Sequence, residues 1–431
     1  MHQQPPLRIA VAGLGTVGAS VVQILQNNSD SISARAGRDI VVKRVSARDR
    51  NKDRGFEMGA IRWADAANDL IQDVDVLVEA VGGSDGYAYD LVKSALENHV
   101  SVVTANKALL AVHGRELAEI AAKNKVHLKY EAAVAGAIPI MKSLREGLAA
   151  NPVHSIYGIL NGTCNYILSQ MRDTGESFDK ILKDAQDKGY AEADPTFDID
   201  GIDTAHKTAL LAAAAFNVPP HFDHIKAEGI RRITDTDICF ADDLGYRIKL
   251  LGVARWTDLG IEQSVEPCLV EANTPLAAVD GSLNAVYTES DYAHETLLVG
   301  RGAGGDPTAS AVVADIMDVA RNVYVPTFGV EPDQWRDIQL ADMDKAEKAV
   351  YIRLIVEDRS GVLADIAKIL SEAGISIQSA LQLSEITKGI VPLILTTHTS
   401  QAKVLNQAIE KIGKLKPVKE PPFTMRIIEQ E

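Results

Sequence analysis

Cysteine is scarce. The 431 residues hold three, Cys164, Cys239 and Cys268, scattered and odd in number, with no C-x-x-C pair. That argues against a disulfide framework or a thiolate zinc site and fits a reducing compartment. Basic charge is also short, with 44 Lys and Arg against 59 Asp and Glu, a net charge of -15 and no basic block. That balance argues against nucleic-acid binding by phosphate neutralisation. No stretch supplies the roughly 20 uninterrupted apolar residues of a membrane helix. The opening "MHQQPPLRIAVAG" lacks a charged segment followed by a long apolar run, so it is no secretion signal. A cytoplasmic protein is expected. Hydrophobic content of 46% and charged content of 24% are ordinary for a globular chain. At about 100–200 residues per domain, the length suggests two to four domains.

What is present begins with glycine. Residues 7–12, "LRIAVA", read as a strand, followed by Gly13-x-Gly15-x-x-Gly18 and a helix with Val17, Val21, Ile24 and Leu25 on one face. The first glycine permits the turn, the second lets backbone approach a pyrophosphate, and the third lets helix and strand pack closely. A helix N-terminus aimed at phosphates completes the site. Gly13, Gly15, Thr16, Val17 and Gly18 are the candidate cofactor cradle. A glycine turn with no ligand is the competing reading, and the context weighs against it. Further strands read in "DIVVKRVSARD", "VDVLVEAVGG", "VSVVTANK" and "VHLKYEAAVAG", separated by helical patterns. Such alternation predicts a parallel sheet covered on both faces. Past the second strand, Arg48 favours NADP and Asp49 leaves NAD open.

"GYAEADPTFDIDGIDTAHK", residues 189–207, crowds Glu192, Asp194, Asp198, Asp200 and Asp203 near Lys207, with Asp187 just upstream. An EF-hand register would put Thr196 first and Lys207 twelfth, so it fails at both ends. Pro195 breaks any helix there, and Gly201 permits a turn. A helix then starts near Asp203 and runs through "TALLAAAAF", which sets Asp203 and Lys207 at i and i+4. Burial would lower the pKa of Lys207 toward the range of an acid–base catalyst, with Asp203 fixing and opposing it. An ordinary surface ion pair is the blander alternative. A carboxylate such as Glu192 suits the ammonium of an amino-acid substrate.

That stretch resembles the signature of the homoserine dehydrogenases. "GLGTVG", "TANKALL", "YEAAVAGAIPI", "NGTCNYIL" and "GRGAGGDPTASAVVADI" agree with it in order, and the resemblance covers about the first three-quarters of the chain. It implies reversible, NAD(P)H-dependent reduction of L-aspartate 4-semialdehyde to L-homoserine, on the route to threonine and methionine. By the same resemblance Lys207 is the proton donor, Asp203 its acidic partner, and Lys107 a second lysine close to cofactor and substrate. Glu192 and Asp198 contact the substrate's polar groups, and Gly302 lies near the cofactor. A monovalent cation, sodium, is implied on the backbone carbonyls of Glu131, Val134, Gly136 and Ile138; from the residues alone that loop reads equally as a small-residue hinge. Gly162 and Thr163 look like a turn facing the cleft. Cys164 is read as structural, since hydride transfer needs no thiolate.

The last quarter reads as strand (350–356), helix (362–370), two strands ("GISIQSALQL", "IVPLILTTH"), helix ("SQAKVLNQAIEKIGKL") and strand ("PFTMRIIE"). This βαββαβ order is ferredoxin-like, and "VEDRSGVLADIAKILSEAGISI" resembles an ACT domain. The resemblance implies an amino-acid effector, threonine first; a dimerisation module without ligand is the alternative. The expected architecture is α/β: a Rossmann-type NAD(P)-binding domain at 1–135 plus about 301–330, an α+β substrate-binding and dimerisation domain at 136–300, a linker at 331–348 and an ACT domain at 349–431. The expected form is monofunctional, with no kinase segment ahead of the glycine turn, and a homodimer or homotetramer. Two other readings stay open: an oxidoreductase of a different amino-acid semialdehyde, and a non-catalytic nucleotide and amino-acid sensor.

Overall fold

Runs of β-branched residues with no polar alternation need cover on both faces. Such runs form the centre of the first sheet in the computed structural model, which describes residues 4–382, 385 and 387–428. Strands β1 (Leu7–Ala12), β2 (Ile40–Ser46), β3 (Arg62–Trp63), β4 (Val76–Glu79), β5 (Ser101–Thr104) and β6 (Leu128–Lys129) are all parallel, in the order β3-β2-β1-β4-β5-β6. Every residue of β4 and β5 is buried. Helices α1 (Thr16–Asn27), α2 (Ser29–Ala36), α3 (Ala67–Leu70), α4 (Tyr87–Glu97) and α5 (Lys107–Asn124) connect these strands. The chain order reverses between β1 and β4. Ligands bind at such a switch point, outside the carboxyl ends of the strands.

The chain then crosses to a second unit. Its elements are α6 (Ile140–Lys142), β7 (Val153–Ile159), α7 (Gly162–Thr174), α8 (Phe178–Asp187), α9 (Thr196–Ile199), α10 (Ile202–Phe216), β8 (Lys226–Ala227), α11 (Asp235–Asp243), β9 (Tyr246–Thr257), β10 (Gly260–Glu271), β11 (Leu283–Ser290) and β12 (His294–Arg301). Helix α12 (Gly305–Ala320) returns to the first unit, burying Ala309, Val312 and Ile316 with Ile9 and Val21. Helices α7, α10 and α11 pack on the antiparallel strands. The alanine-rich run is a core helix: every residue of α10 from Asp203 to Ala214 is buried. A helix apolar on all sides belongs inside.

The last unit comprises β13 (Glu347–Glu357), α13 (Val362–Glu372), β14 (Ile377–Gln382), β15 (Ile390–Thr397), β16 (Ser400–Gln401), α14 (Ala402–Gly413) and β17 (Phe423–Ile428). Leu383 and Glu429, expected as strand ends, lie outside the described residues. The βαββαβ order holds apart from the added two-residue β16, which pairs with β13, and the sheet order is β17-β13-β15-β14. Val362, Ile366 and Leu370 make the buried stripe of α13 at four-residue spacing, while Leu363 is 44% exposed.

Two features depart from the expected organisation. The segment 331–348 is no free tether: Ile261 donates to the Gln339 carbonyl at 3.1 Å, Ala341 donates back to the Ile261 carbonyl at 2.9 Å, and β13 starts at Glu347. The second and third units also share one sheet, because β17 pairs in parallel with β10. A pairing between strands so far apart in sequence leaves no local pattern. It is locked by Arg426, which is 4% exposed and ion-paired with Glu262 at the start of β10. Tyr351 adds a hydrogen bond to Asp237 at 2.8 Å, and Arg353 an ion pair to the same carboxylate. No helix among the described residues is long and apolar enough to cross a membrane.

Removing one partner of a buried pair strands the other charge. Glu262→Gln should therefore cost about 3–5 kcal/mol, read as a lower urea midpoint with early proteolysis of the tail. A loss below about 1 kcal/mol would show that the pair does not hold the joint.

Candidate functional site

The glycine turn sits at the C-terminal end of β1. Gly13 has φ 87°, and a Cβ there would meet the Ala80 carbonyl oxygen at 2.5 Å. A Cβ on Gly18 would lie 1.9 Å from the Gly13 oxygen, so strand and helix touch only because both residues lack one. Around Gly15 nothing stands within 4 Å of an added Cβ, which leaves the space a pyrophosphate needs. Thr16 is exposed and Val17 half-buried at the start of α1. The N-terminus of α12 comes alongside: a Cβ on Gly305 would meet the Thr16 methyl at 2.8 Å. Two helix N-termini thus converge on one anion-binding corner. Arg48 stands two residues past β2, exposed, with no hydrogen bond or ion pair to the described residues. Nearby Arg50 and Arg54 stack on Trp63, and Arg54 also donates to the Leu14 carbonyl at 2.9 Å.

Lys107 opens α5, with Asn106 as the cap: its Oδ1 accepts from Leu109 N–H at 3.1 Å and its Nδ2 donates to the Gly83 carbonyl at 2.7 Å. Buried Glu79 braces the same strand ends, accepting from Val81 and Gly82 N–H at 2.8 and 3.0 Å and from the Thr104 hydroxyl at 2.5 Å. Lys107 is thereby aimed across the cleft at α10. Its ammonium lies 3.1 Å from Asp203 Oδ1 and over the Phe197 ring.

Asp203 is the hub. Its other oxygen, Oδ2, accepts from Lys207 Nζ at 2.7 Å and from Asn161 Nδ2 at 3.0 Å. Lys207 also donates to the Leu160 carbonyl at 2.7 Å. Burial alone would raise the Asp203 carboxyl, but the two lysines and the hydrogen bonds outweigh it and hold it well below the usual carboxylate range. Burial lowers the pKa of Lys207; Asp203 opposes that shift and the charge of Lys107 adds to it. Asp198 is pushed up by burial, against the hydrogen bond it accepts from Asn161 Nδ2 at 2.8 Å. His206, stacked on Phe222, is lowered to about 4 by burial and the adjacent Lys107, so it is a neutral ring.

The structure brings Lys207, Asp203, Lys107 and Asp198 together. It does not bring Glu192 to them: that residue is exposed, its carboxylate unpaired among the described residues. The other acids are spent elsewhere. Asp187 pairs with Lys183, Asp200 with Arg231, and Asp194 accepts from Thr196 N–H at 3.1 Å. Gly162 and Thr163 are not a turn facing the cleft. They are the first residues of α7, because Asn161 caps that helix, its Oδ1 accepting from Cys164 N–H at 2.9 Å. Cys164 is fully buried, and burial pushes its thiol well up. Gly302 packs between the two crossings: a Cβ there would overlap Asn284, and one on Gly136 would meet the Gly302 oxygen at 2.6 Å. Asn161, Asn106 and Glu79 are functional-site residues that the sequence motifs do not single out. The two asparagines carried the N-cap signal, a polar residue immediately before an apolar-periodic run.

In the loop after β6, Ala135 and Gly136 both have positive φ, 56° and 55°. The Glu131 carboxylate accepts from Met141 and Lys142 N–H, each at 2.8 Å. The carbonyls of Val134 and Gly136 accept no hydrogen bond among the described residues, while those of Glu131 and Ile138 accept from Val134 at 3.3 Å and Ile140 at 2.7 Å.

The glycine turn after β1 and Lys107 after β5 lie at the carboxyl edge of one parallel sheet, and Lys107 shares Asp203 with Lys207, so a dinucleotide-type turn and a pair of lysines with one acid belong to a single cleft. The class this defines is the NAD(P)-dependent oxidoreductases. Residues 13–131 match the homoserine dehydrogenase NAD binding domain, residues 139–317 the homoserine dehydrogenase family, and residues 350–417 the ACT domain. The chain is 44% identical to the homoserine dehydrogenase of Pseudomonas aeruginosa, over 98% of this chain and 99% of that one. It is 36% identical to that of Bacillus subtilis, over 98% of each. The crystal structure of a homoserine dehydrogenase from Thiobacillus denitrificans superposes with a TM-score of 0.94 at 44% identity, covering 100% of both chains. A hyperthermophilic archaeal homoserine dehydrogenase in complex with NADPH matches with a TM-score of 0.63 at 26% identity, over 75% of this chain and 100% of that one. The chain belongs to the homoserine dehydrogenase family.

The open space at Gly15 predicts a clean test. Gly15→Val should fold as wild type yet bind NADPH about 100-fold more weakly, ~2.7 kcal/mol, in a fluorescence titration. Unchanged binding would move the pyrophosphate off this turn.

Proposed function

We propose that Lys207 is the proton donor to the aldehyde oxygen of L-aspartate 4-semialdehyde, with Asp203 and Lys107 completing the catalytic set. The observation that carries this is the state of the Lys207 ammonium. Two of its three N–H groups are held by Asp203 and the Leu160 carbonyl, and the third is left for substrate. The bound nicotinamide supplies hydride to the carbonyl carbon. As charge grows on the oxygen, the free N–H of Lys207 offsets it and transfers the proton, giving the alcohol of homoserine. In the reverse direction, neutral Lys207 takes the proton back. Lys107, on the other oxygen of Asp203, adds a second positive charge and keeps the hub ionised. Asp198, inside the cleft, takes the substrate's ammonium; Glu192, exposed and outside the cluster, has no part in that contact.

NADP is the proposed cofactor over NAD. Arg48 is exposed and uncommitted beyond β2, which suits a 2′-phosphate, and the archaeal relative is described with NADPH. The cradle comprises Gly13, Gly15, Thr16, Val17 and Gly18, with Lys107 and Gly302 on the nicotinamide side. The loop after β6 fits a monovalent cation held by backbone oxygens, since Val134 and Gly136 carry unspent carbonyls there; Glu131 and Ile138 would complete it, and the ion would stiffen the crossing. The tail is proposed to bind threonine as a feedback effector. The enzyme is proposed to be cytoplasmic and to assemble as a homodimer through the middle unit, or a homotetramer if the tail adds contacts.

Turnover of L-aspartate 4-semialdehyde, followed by loss of reduced nicotinamide absorbance, is expected to favour NADPH over NADH. Threonine at about millimolar concentration should slow it, a coupling of ~1–3 kcal/mol. Equal rates with the two cofactors, or no response to threonine, would remove those two assignments. Lys207→Ala should lower kcat by about 10²–10⁴-fold with NADPH binding intact; surviving turnover would mean another donor. Reduction needs the ammonium form, so its rate should fall as pH rises through the Lys207 pKa, and that fall should begin below the ordinary lysine value of 10.5.

A further inference from the structure

Asn161 stands where β7 ends and α7 begins, 5% exposed, and all three of its polar contacts are specific. Oδ1 accepts from Cys164 N–H at 2.9 Å. The two protons of Nδ2 go to two different carboxylates, Asp198 Oδ1 at 2.8 Å and Asp203 Oδ2 at 3.0 Å. This orientation is forced. A flipped amide would press its oxygen against two carboxylates and its NH₂ against a backbone N–H. A residue needed only to cap α7 would use the oxygen alone, and aspartate or serine would cap as well.

The preceding residue grips the other half of the cluster. The Leu160 carbonyl accepts from Lys207 Nζ at 2.7 Å and from Asn284 Nδ2 at 2.9 Å. The dipeptide Leu160–Asn161 therefore holds the lysine with its carbonyl and both acids with its amide.

We propose that Asn161 is a positioning residue for the reaction, its carboxamide fixing Asp198 against the Asp203–Lys207 pair so that the substrate's ammonium and its aldehyde oxygen are set in one frame. This rests on the roles proposed above for Asp198, Asp203 and Lys207. Asp198 and Asp203 are like charges on neighbouring elements, α9 and α10, and the amide is the neutral group that lets both stay ionised side by side. The groups facing Asp198 are Asp203 and Lys207 from α10, Lys107 from α5, and Asn161 itself. The Cys164 thiol from α7 donates to its backbone carbonyl at 3.3 Å. Burial and Asp203 favour the protonated acid, and Asn161 with the two lysines favours the carboxylate. Loss of the amide donors moves Asp198 toward protonation, so the acid limb of kcat/KM moves to higher pH.

The test is Asn161→Ser, which keeps a cap acceptor and removes the two N–H donors. Its Tm should stay within about 4 °C of wild type. NADPH affinity should be unchanged. KM for the semialdehyde should rise about 10-fold, and the acid limb of the kcat/KM profile should shift up by roughly 0.5–1 pH unit. Wild-type KM and an unmoved limb at retained Tm would reduce Asn161 to a helix cap and overturn the proposal. If the serine variant melts, Asn161→Asp is read instead: it keeps the cap acceptor and puts a carboxylate where the two donors stood, so the acid limb should move up further, and a limb left at its wild-type position overturns the proposal as well. Lys207→Ala is run in parallel. Turnover surviving in that variant sinks the proton-donor assignment, whereas turnover lost there with an unaltered Asn161→Ser sinks only the role of the amide.

Discussion

Two lysine ammonium groups face each other across the cleft, one from each unit, and a single carboxylate makes that possible. Lys107 comes from the start of α5 in the first unit, and Lys207 from α10 in the second. Lys207 and Asp203 are both buried. Bringing two like charges into a low-dielectric site is costly unless a counter-charge is shared between them. Asp203 gives one oxygen to each. The same contact that carries the proposed proton transfer is thus a bridge between the unit that carries the glycine turn and the unit that carries the acids. The apolar helix behind it and the capped helix opposite exist to hold two oxygens in place.

The tail reaches this bridge through hydrogen bonds. Strand β17 pairs with β10, and β10 pairs with β8. Just past β8, Glu228 donates to the Val265 carbonyl at 2.7 Å and Ile230 donates to the Ile199 carbonyl at 2.9 Å. A Cβ on Gly229 would lie 1.9 Å from the Ile199 oxygen, so this approach requires glycine. Ile199 ends α9, Gly201 caps α10 with φ 83°, and Asp203 follows two residues later. Had the tail been tethered by a loose linker, an effector there could act only by changing assembly. Sharing the sheet gives the proposed effector a packed route to the hub, in which displacement of one strand is passed to the next.

Much of this was legible in sequence because it rests on local rules. The glycine turn, the strand–helix alternation, the βαββαβ tail and the i, i+4 pair of Asp203 and Lys207 each follow from periodicity or from one residue's conformational limits. Most of the features that escaped are non-local, and the start of α7 is the local exception. Nothing in "PFTMRIIE" announces that it will pair with β10. Glu192 and Asp198 look equivalent as acids in a polar stretch, yet one is exposed and the other packs beneath Asn161. Gly162 and Thr163 read as a turn because glycine is a turn former. Asn161 just ahead of them decides that α7 starts there.

The two crossings between the units explain why the bridge keeps its geometry. The outgoing crossing runs through Ala135 and Gly136, and the return passes Gly302. They lie side by side, with Ala137 donating to the Arg301 carbonyl at 3.0 Å. Beneath them the buried Asp315 carboxylate accepts from Glu131 N–H at 2.8 Å, while Asp318 pairs with Lys142 from α6. Burial raises the Glu131 carboxyl to about 7, against the two N–H groups it accepts from. A single crossing would be a pivot about which the units could rotate. Two adjacent crossings, joined to each other and to α12, resist that rotation. α12 itself packs on α1 behind the glycine turn. The distance from cofactor cradle to Lys207 is therefore set by a closed circuit of packed elements: α1, α12, the crossings, α10, the Asp203 bridge and α5. In the proposed reaction a hydride donor and a proton donor held by different units must meet at one carbon–oxygen bond, and a closed circuit of that kind would fix their separation.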